Sequence, residues 1–147
     1  MSLSKSKNAE EAVYVHVLNK EQKQAVLHEG RSLLILAGAG SGKTRVITTK
    51  IAYFINQLGV DPRSILAVTF TNKAADEMHA RVLTMAPNAY GVMVRTFHSF
   101  GAWLLRRNAH LLGLNSNFSI YDDDDSLTLL HSLYPSYNRR ELSTYNR

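Results

Sequence analysis

Residues 37–44 constrain the fold of this chain more than any other stretch. They read Ala37-Gly38-Ala39-Gly40-Ser41-Gly42-Lys43-Thr44. A continuous apolar run of strand length precedes them, residues 32–37 (Ser-Leu-Leu-Ile-Leu-Ala). Such a run suits a parallel strand buried on both faces. After the loop, Ile47, Ile51, Ile55 and Leu58 recur at helical spacing over residues 43–58, and Gly59 stops the pattern. Strand, small-residue loop, Lys-Thr and helix together are the context of a Walker A loop. Small residues let the backbone wrap close to phosphate oxygens, and its N–H groups point inward. The helix N-terminus adds partial positive charge. Lys43 is expected to reach the β- and γ-phosphates, and the Thr44 hydroxyl to ligate Mg²⁺. The usual first glycine is Ala37 here.

The remaining chain extends this unit. Asn19 followed by Gln22 reads as an N-cap with its capping-box partner, opening a helix to about residue 29 that Gly30 ends. Residues 12–17 read as a short strand or an extended lead-in. A second apolar strand is expected over 65–70, a helix over 72–85, a third strand over 92–96 and a long helix over 97–112 that Gly113 ends. Strands alternating with helices imply a parallel sheet covered on both faces. The tail differs. Four consecutive acids, Asp122, Asp123, Asp124 and Asp125, precede a short helix over 126–134, and Pro135 ends it. Residues 1–10 are polar and read as a disordered tail.

Composition narrows the function classes. The 147 residues amount to about one domain, or one domain and part of another. There is no cysteine, so a disulfide scaffold, a thiolate metal site and a cysteine nucleophile are excluded. No apolar run approaches the ~18 residues of a membrane span, and no apolar segment follows the basic N-terminus as in a secretory signal. The expectation is therefore no membrane and a cytoplasmic location. The net charge is +5 although four of the twelve acids sit in one run, so the rest of the surface is strongly basic and suits a polyanion.

A Walker A loop implies a nucleotide but not what the nucleotide drives. Two strand ends speak to that. One reads Thr69-Phe70-Thr71-Asn72-Lys73, the other Thr96-Phe97-His98-Ser99. Both leave the carboxyl end of a parallel strand, where such sheets bind ligands. Aromatics that stack on bases, beside hydroxyls, amides and cations that hold phosphates, compose a single-strand binding track. The competing reading makes Phe70 and Phe97 core residues and the polar groups helix caps.

Taken together, four stretches carry a resemblance. Leu18-Asn19-x-x-Gln22-x-x-Ala25-Val26, residues 37–46, residues 68–75 and Thr96-Phe97-His98 resemble, in order, the Q motif and motifs I, Ia and Ib of a superfamily 1 DNA helicase of the UvrD/Rep/PcrA type. The likeness covers about residues 18–130. It implies a partial RecA-like P-loop domain over 11–100 and the start of an inserted helical subdomain over 101–147. It implies ATP and Mg²⁺ as cofactors, with Gln22 on the adenine, Ala37 through Thr44 around the phosphates, and Arg45 near the base or ribose. Thr69, Phe70, Asn72, Lys73, Thr96, Phe97 and His98 would line the single-stranded DNA path, and 3′–5′ translocation would be the activity of the parent protein.

One departure weighs on activity. Residues 120–123 (Ile-Tyr-Asp-Asp) mimic a Walker B strand end, but two more acids and a helix follow, so they read as a charged helix N-terminus. No Walker B pair and no second motor domain are found. The chain is read as an amino-terminal fragment, inactive alone, whose partners are single-stranded DNA and the remainder of the helicase. The alternatives are a small-molecule P-loop kinase and a non-catalytic nucleotide- or DNA-binding piece.

Overall fold

A computed structural model describes residues 13–30, 32–138, 140, 141 and 144, with side chains from Val15 onward. The polar tail expected over residues 1–10 lies outside the described residues. The chain divides into two compact units, one ending at Gly101 and one starting at Ala102.

The first unit opens with a single helical turn, α1 (Val13–His16), where the sequence suggested a short strand or an extended lead-in. Val15 is fully buried, and the turn closes with Leu18 N–H donating to the Val15 carbonyl. Helix α2 (Lys20–Leu27) follows, then α3 (Lys43–Asn56), β1 (Leu66–Thr69), α4 (Asn72–Met85), β2 (Met93–Thr96) and the start of α5 (Phe97–Arg107). The fold is α/β. β1 and β2 pair in parallel, with Leu66 opposite Met93 and Thr69 opposite Thr96. One core forms where α3 and α4 meet the sheet, from Ile51, Ala52, Ile55, Ala67, Met78, Val82 and Val92 among others. A second joins α2 to α3 through Leu18, Ala25, Val26, Val46 and Tyr53.

The expected strand over residues 32–37 is absent. The segment carries no strand assignment and joins neither β1 nor β2. Leu34 and Leu36 are 82% and 89% exposed, and Leu33 and Ile35 about half that. The apolar run is a strand only inside a ladder, and a parallel strand of this composition needs neighbours on its edges and layers on its faces. The described sheet has two strands, and of their eight residues only Ala67 and Thr96 are buried. The sheet covered on both faces is therefore not formed by the described residues.

An exposed apolar segment invites association with another chain. The isolated chain is expected to self-associate through residues 33–36. Alternating side chains put Leu34 and Leu36 on one face, so the double substitution Leu34→Lys, Leu36→Lys should shift light-scattering mass toward the monomer. An unchanged mass distribution would assign association to another surface.

The second unit continues α5, adds a 3₁₀ turn at Ala109–Leu112, turns at Gly113 with φ +67°, and carries α6 (Asp123–Leu133). Asp122 caps α6. Its Oδ1 accepts from Asp125 N–H at 2.8 Å, and Asp125 returns the bond to the Asp122 N–H at 3.3 Å. Asp123, Asp124 and Asp125 fill the first turn, where the helix dipole favours negative charge. The helix starts three residues earlier than its apolar pattern because the acids are part of it. Arg106 lies over the Phe118 ring at 5.5 Å and Arg107 over Trp103 at 5.6 Å.

Candidate functional site

The glycine loop leads directly into α3. Gly40 and Gly42 have φ of +75° and +86°, a backbone region that side chains disfavour. Gly42 also occupies the N-cap of α3 without offering a side chain to cap it. A Cβ there would stand 2.8 Å from Gln22 Nε2. The two glycines thus serve different needs. Both permit the turn, and Gly42 also leaves room for the Gln22 amide.

The loop is exposed from Gly38 through Ser41, and so are Lys43, Thr44 and Arg45. Ser41 Oγ donates to the Gly38 carbonyl at 2.8 Å. Lys43 Nζ donates to the carbonyls of Gly38 at 2.6 Å and Ala37 at 3.2 Å. The ammonium therefore rests on the loop's own carbonyls, at the mouth of the turn. It is accessible and needs only to exchange two neutral acceptors for an anionic one, a stronger partner. Thr44 places a free-standing hydroxyl in the first turn of α3.

Gln22 reaches the same loop. Its Oε1 accepts from Asn19 N–H at 3.1 Å, and Asn19 Oδ1 accepts from Gln22 N–H at 2.8 Å, closing the expected capping box. Its Nε2 donates to the Ser41 carbonyl at 3.0 Å. One amide thus ties α2 to the loop across 19 positions of sequence. Arg45, two residues past Lys43, also lines an open cavity of about 700 Å³ with Val17, Thr48, Thr49, Arg81 and Met85.

The strand ends form a second cluster. Because Thr69 and Thr96 are in register, the residues that follow them emerge side by side. The Phe70 and Phe97 rings stand 5.6 Å apart at 50°. Phe70 is 86% exposed and Phe97 53%, so neither is a core residue. Thr71 caps α4, its Oγ1 accepting from Ala74 N–H at 3.2 Å, and leaves Asn72 and Lys73 exposed in the first turn. His98 is exposed in the first turn of α5.

Thr96 is placed otherwise than its neighbours. It is buried, and its Oγ1 accepts from Ser99 N–H at 3.1 Å while Ser99 Oγ bonds back to the Thr96 backbone. It caps α5 and holds Phe97 and His98 in position. Ser99, its reciprocal partner, closes the strand-end segment read from the sequence, and here its hydroxyl serves as a helix cap.

Among the described residues, no group of three or more His, Asp or Glu side chains stands together to hold a metal ion. In P-loop sites Mg²⁺ is held beside the substrate phosphates by the loop's Ser or Thr hydroxyl and a carboxylate. The exposed Thr44 hydroxyl can supply the first of these two ligands. No helix among the described residues is long and apolar enough to cross a membrane.

Residues 18–146 match the family model described as the UvrD/REP helicase N-terminal domain. The chain belongs to that family. It is 57% identical over 115 residues to the ATP-dependent DNA helicase UvrD1 of Mycobacterium tuberculosis, covering 77% of this chain and 15% of that protein. It is 52% identical over 122 residues to the probable DNA helicase II homolog of Rickettsia conorii, covering 82% and 18%. A probable DNA helicase II homolog of Mycoplasma capricolum is 48% identical over 123 residues, covering 83% and 17%. The chain thus spans less than one fifth of the length of these curated relatives.

Proposed function

We propose that this chain is the ATP-binding amino-terminal portion of a DNA helicase that translocates 3′ to 5′ along single-stranded DNA in the cytoplasm. Its first unit is part of a RecA-like motor domain, and its second begins an inserted helical subdomain. The observation that carries this reading is the exposed loop with Lys43 poised on the Ala37 and Gly38 carbonyls and Gln22 bonded to Ser41. In this reading the backbone N–H groups of residues 40–44 cradle the phosphates and Lys43 swings onto the β- and γ-phosphates. Thr44 ligates a Mg²⁺ that arrives with the nucleotide and neutralises phosphate charge. Gln22 and Arg45 address the base and ribose. Phe70 and Phe97 stack on bases, while Thr69, Asn72, Lys73 and His98 hold the strand. Thr96 contributes by capping.

The remainder of the helicase supplies strands that flank residues 32–37 and the groups that activate water. Alone, the chain binds nucleotide and single strands without turnover. The kinase alternative loses its ground, since the family and the relatives are helicases.

Titrating a fluorescent ATP analogue with Mg²⁺ tests the nucleotide site. Lys43→Ala removes a charge-assisted contact worth about 1.5–3 kcal/mol, so affinity should fall about 10- to 150-fold. Equal affinity of the two proteins would show that the loop is not the phosphate site.

A further inference from the structure

Lys50 lies in the middle of α3, and its ammonium is spent on another helix. Nζ donates to the carbonyls of His28 at 2.7 Å, Ala25 at 3.0 Å and Val26 at 3.1 Å. These are acceptors at the C-terminus of α2, where a helix leaves its carbonyls unpaired and its dipole is negative. An ammonium has three donors, and all three are used. The side chain also places Nζ 5.0 Å from the centroid of the Phe54 ring. Nearby, Tyr53 Oη donates to Glu29 at 2.7 Å, a second tie between α3 and the end of α2. Burial pushes the Lys50 ammonium below the ordinary lysine pKa, and the Glu29 charge partly restores it.

Helix α2 is therefore pinned to the nucleotide loop and its helix at both ends. Lys50 holds the C-terminus, Gln22 bonds Ser41 at the N-terminal end, and Ala25, Val26, Val46 and Tyr53 pack between. Eight residues of helix are too few to be stable alone, so these ties set where the Gln22 amide stands. We propose that Lys50 is a positioning residue for base selection: by fixing α2 it fixes the Gln22 amide, and through it the preference for adenine over guanine nucleotides, leaving phosphate binding to the Lys43 loop.

The inference rests on the reading that Gln22 addresses the base. An amide can pair with both the N6 amino group and N7 of adenine, whereas guanine presents two acceptors on that edge. Such a bidentate pair discriminates by about 1–3 kcal/mol, and only when both bonds are short. A small displacement of α2 forfeits it.

The test compares affinities for ATP, GTP and inorganic tripolyphosphate in the 147-residue chain. Lys50→Met should lower the ATP-to-GTP affinity ratio about tenfold and leave tripolyphosphate binding unchanged. Lys50→Arg, which keeps the charge and the donors, should retain the ratio. In a Gln22→Ala background, Lys50→Met should lower the ratio no further. If the wild-type chain discriminates and Lys50→Met keeps the ratio, the proposal is overturned. A proportional loss of all three ligands also overturns it, since that marks a merely structural role. If the wild-type chain shows no preference for ATP, the reading of Gln22 fails and the proposal falls with it. Should Lys50→Met unfold by circular dichroism, Lys50→Gln carries the same test with two N–H donors and no charge.

Discussion

Phosphate release from ATP by the isolated chain is expected to stay at background, with or without single-stranded DNA, and Lys43→Ala is expected to change nothing. Binding a triphosphate equally well in ground and transition states accelerates no chemistry. Acceleration needs groups that orient water and stabilise the developing charge, and removing one such group typically costs ~10²–10³-fold in rate. Among the described residues, the densest carboxylate run is Asp122–Asp125, and it is committed to starting α6: Asp122 and Asp125 accept each other's backbone N–H groups. The loop itself offers an ammonium, a hydroxyl and backbone donors. These bind phosphate and do not activate water. DNA-stimulated turnover that Lys43→Ala abolishes would overturn the expectation and would mean that a carboxylate of this chain reaches the γ-phosphate.

Local chemistry explains which parts of the fold were legible in the sequence. The capping box of Asn19 and Gln22 spans four residues, and the structure forms it. Helix α4 runs over Asn72–Met85, the span its apolar spacing predicts, because the Thr71 cap and the Met78 and Val82 stripe lie within the segment. Helix α5 stops at Arg107 instead of residue 112, and a 3₁₀ turn completes the span to Gly113. Misreadings arise where a partner far along the chain decides. The apolar run at 32–37 has strand composition but, among the described residues, no strand beside it, so composition alone could not make it one. Residues 13–16 lack a periodic stretch long enough to distinguish one helical turn from an extended lead-in.

The candidate site divides in the same way. The loop residues Gly38 through Thr44 were legible because their spacing is the motif. The tie from Gln22 to Ser41 was not, since it joins two segments that only the fold brings together. Lys50 was hidden for the same reason. Its acceptors lie 22–25 positions away, and on its own helix it reads as one more polar residue on an amphipathic pattern. Thr96 and Phe97 show how the two competing readings of the strand ends divide within one pair of residues. The threonine is a buried cap, and the aromatic beside it is exposed.

Exposure is what makes the aromatic pair testable. Phe70→Ala removes a ring that is 86% exposed, so little burial is lost and folding should be unaffected. A base stacked on that ring is worth about 1–3 kcal/mol, so single-strand affinity should drop about 5- to 150-fold at every salt concentration. Phe97→Ala should act in the same direction. The two effects should not simply add, because the rings touch each other at 5.6 Å and each shapes the platform of its neighbour. Lys73→Ala acts by another route. A lysine that neutralises one phosphate releases a counterion, so its loss should flatten the slope of log affinity against log salt by about 0.7. Stacking and counterion release are thus separated by one salt titration of three proteins. If Phe70→Ala flattens the slope and leaves the affinity extrapolated to high salt unchanged, the ring does not stack on bases. If the chain prefers duplex to single strands, the paired rings at the strand ends are no track for bases, and its basic surface attracts nucleic acid by charge alone.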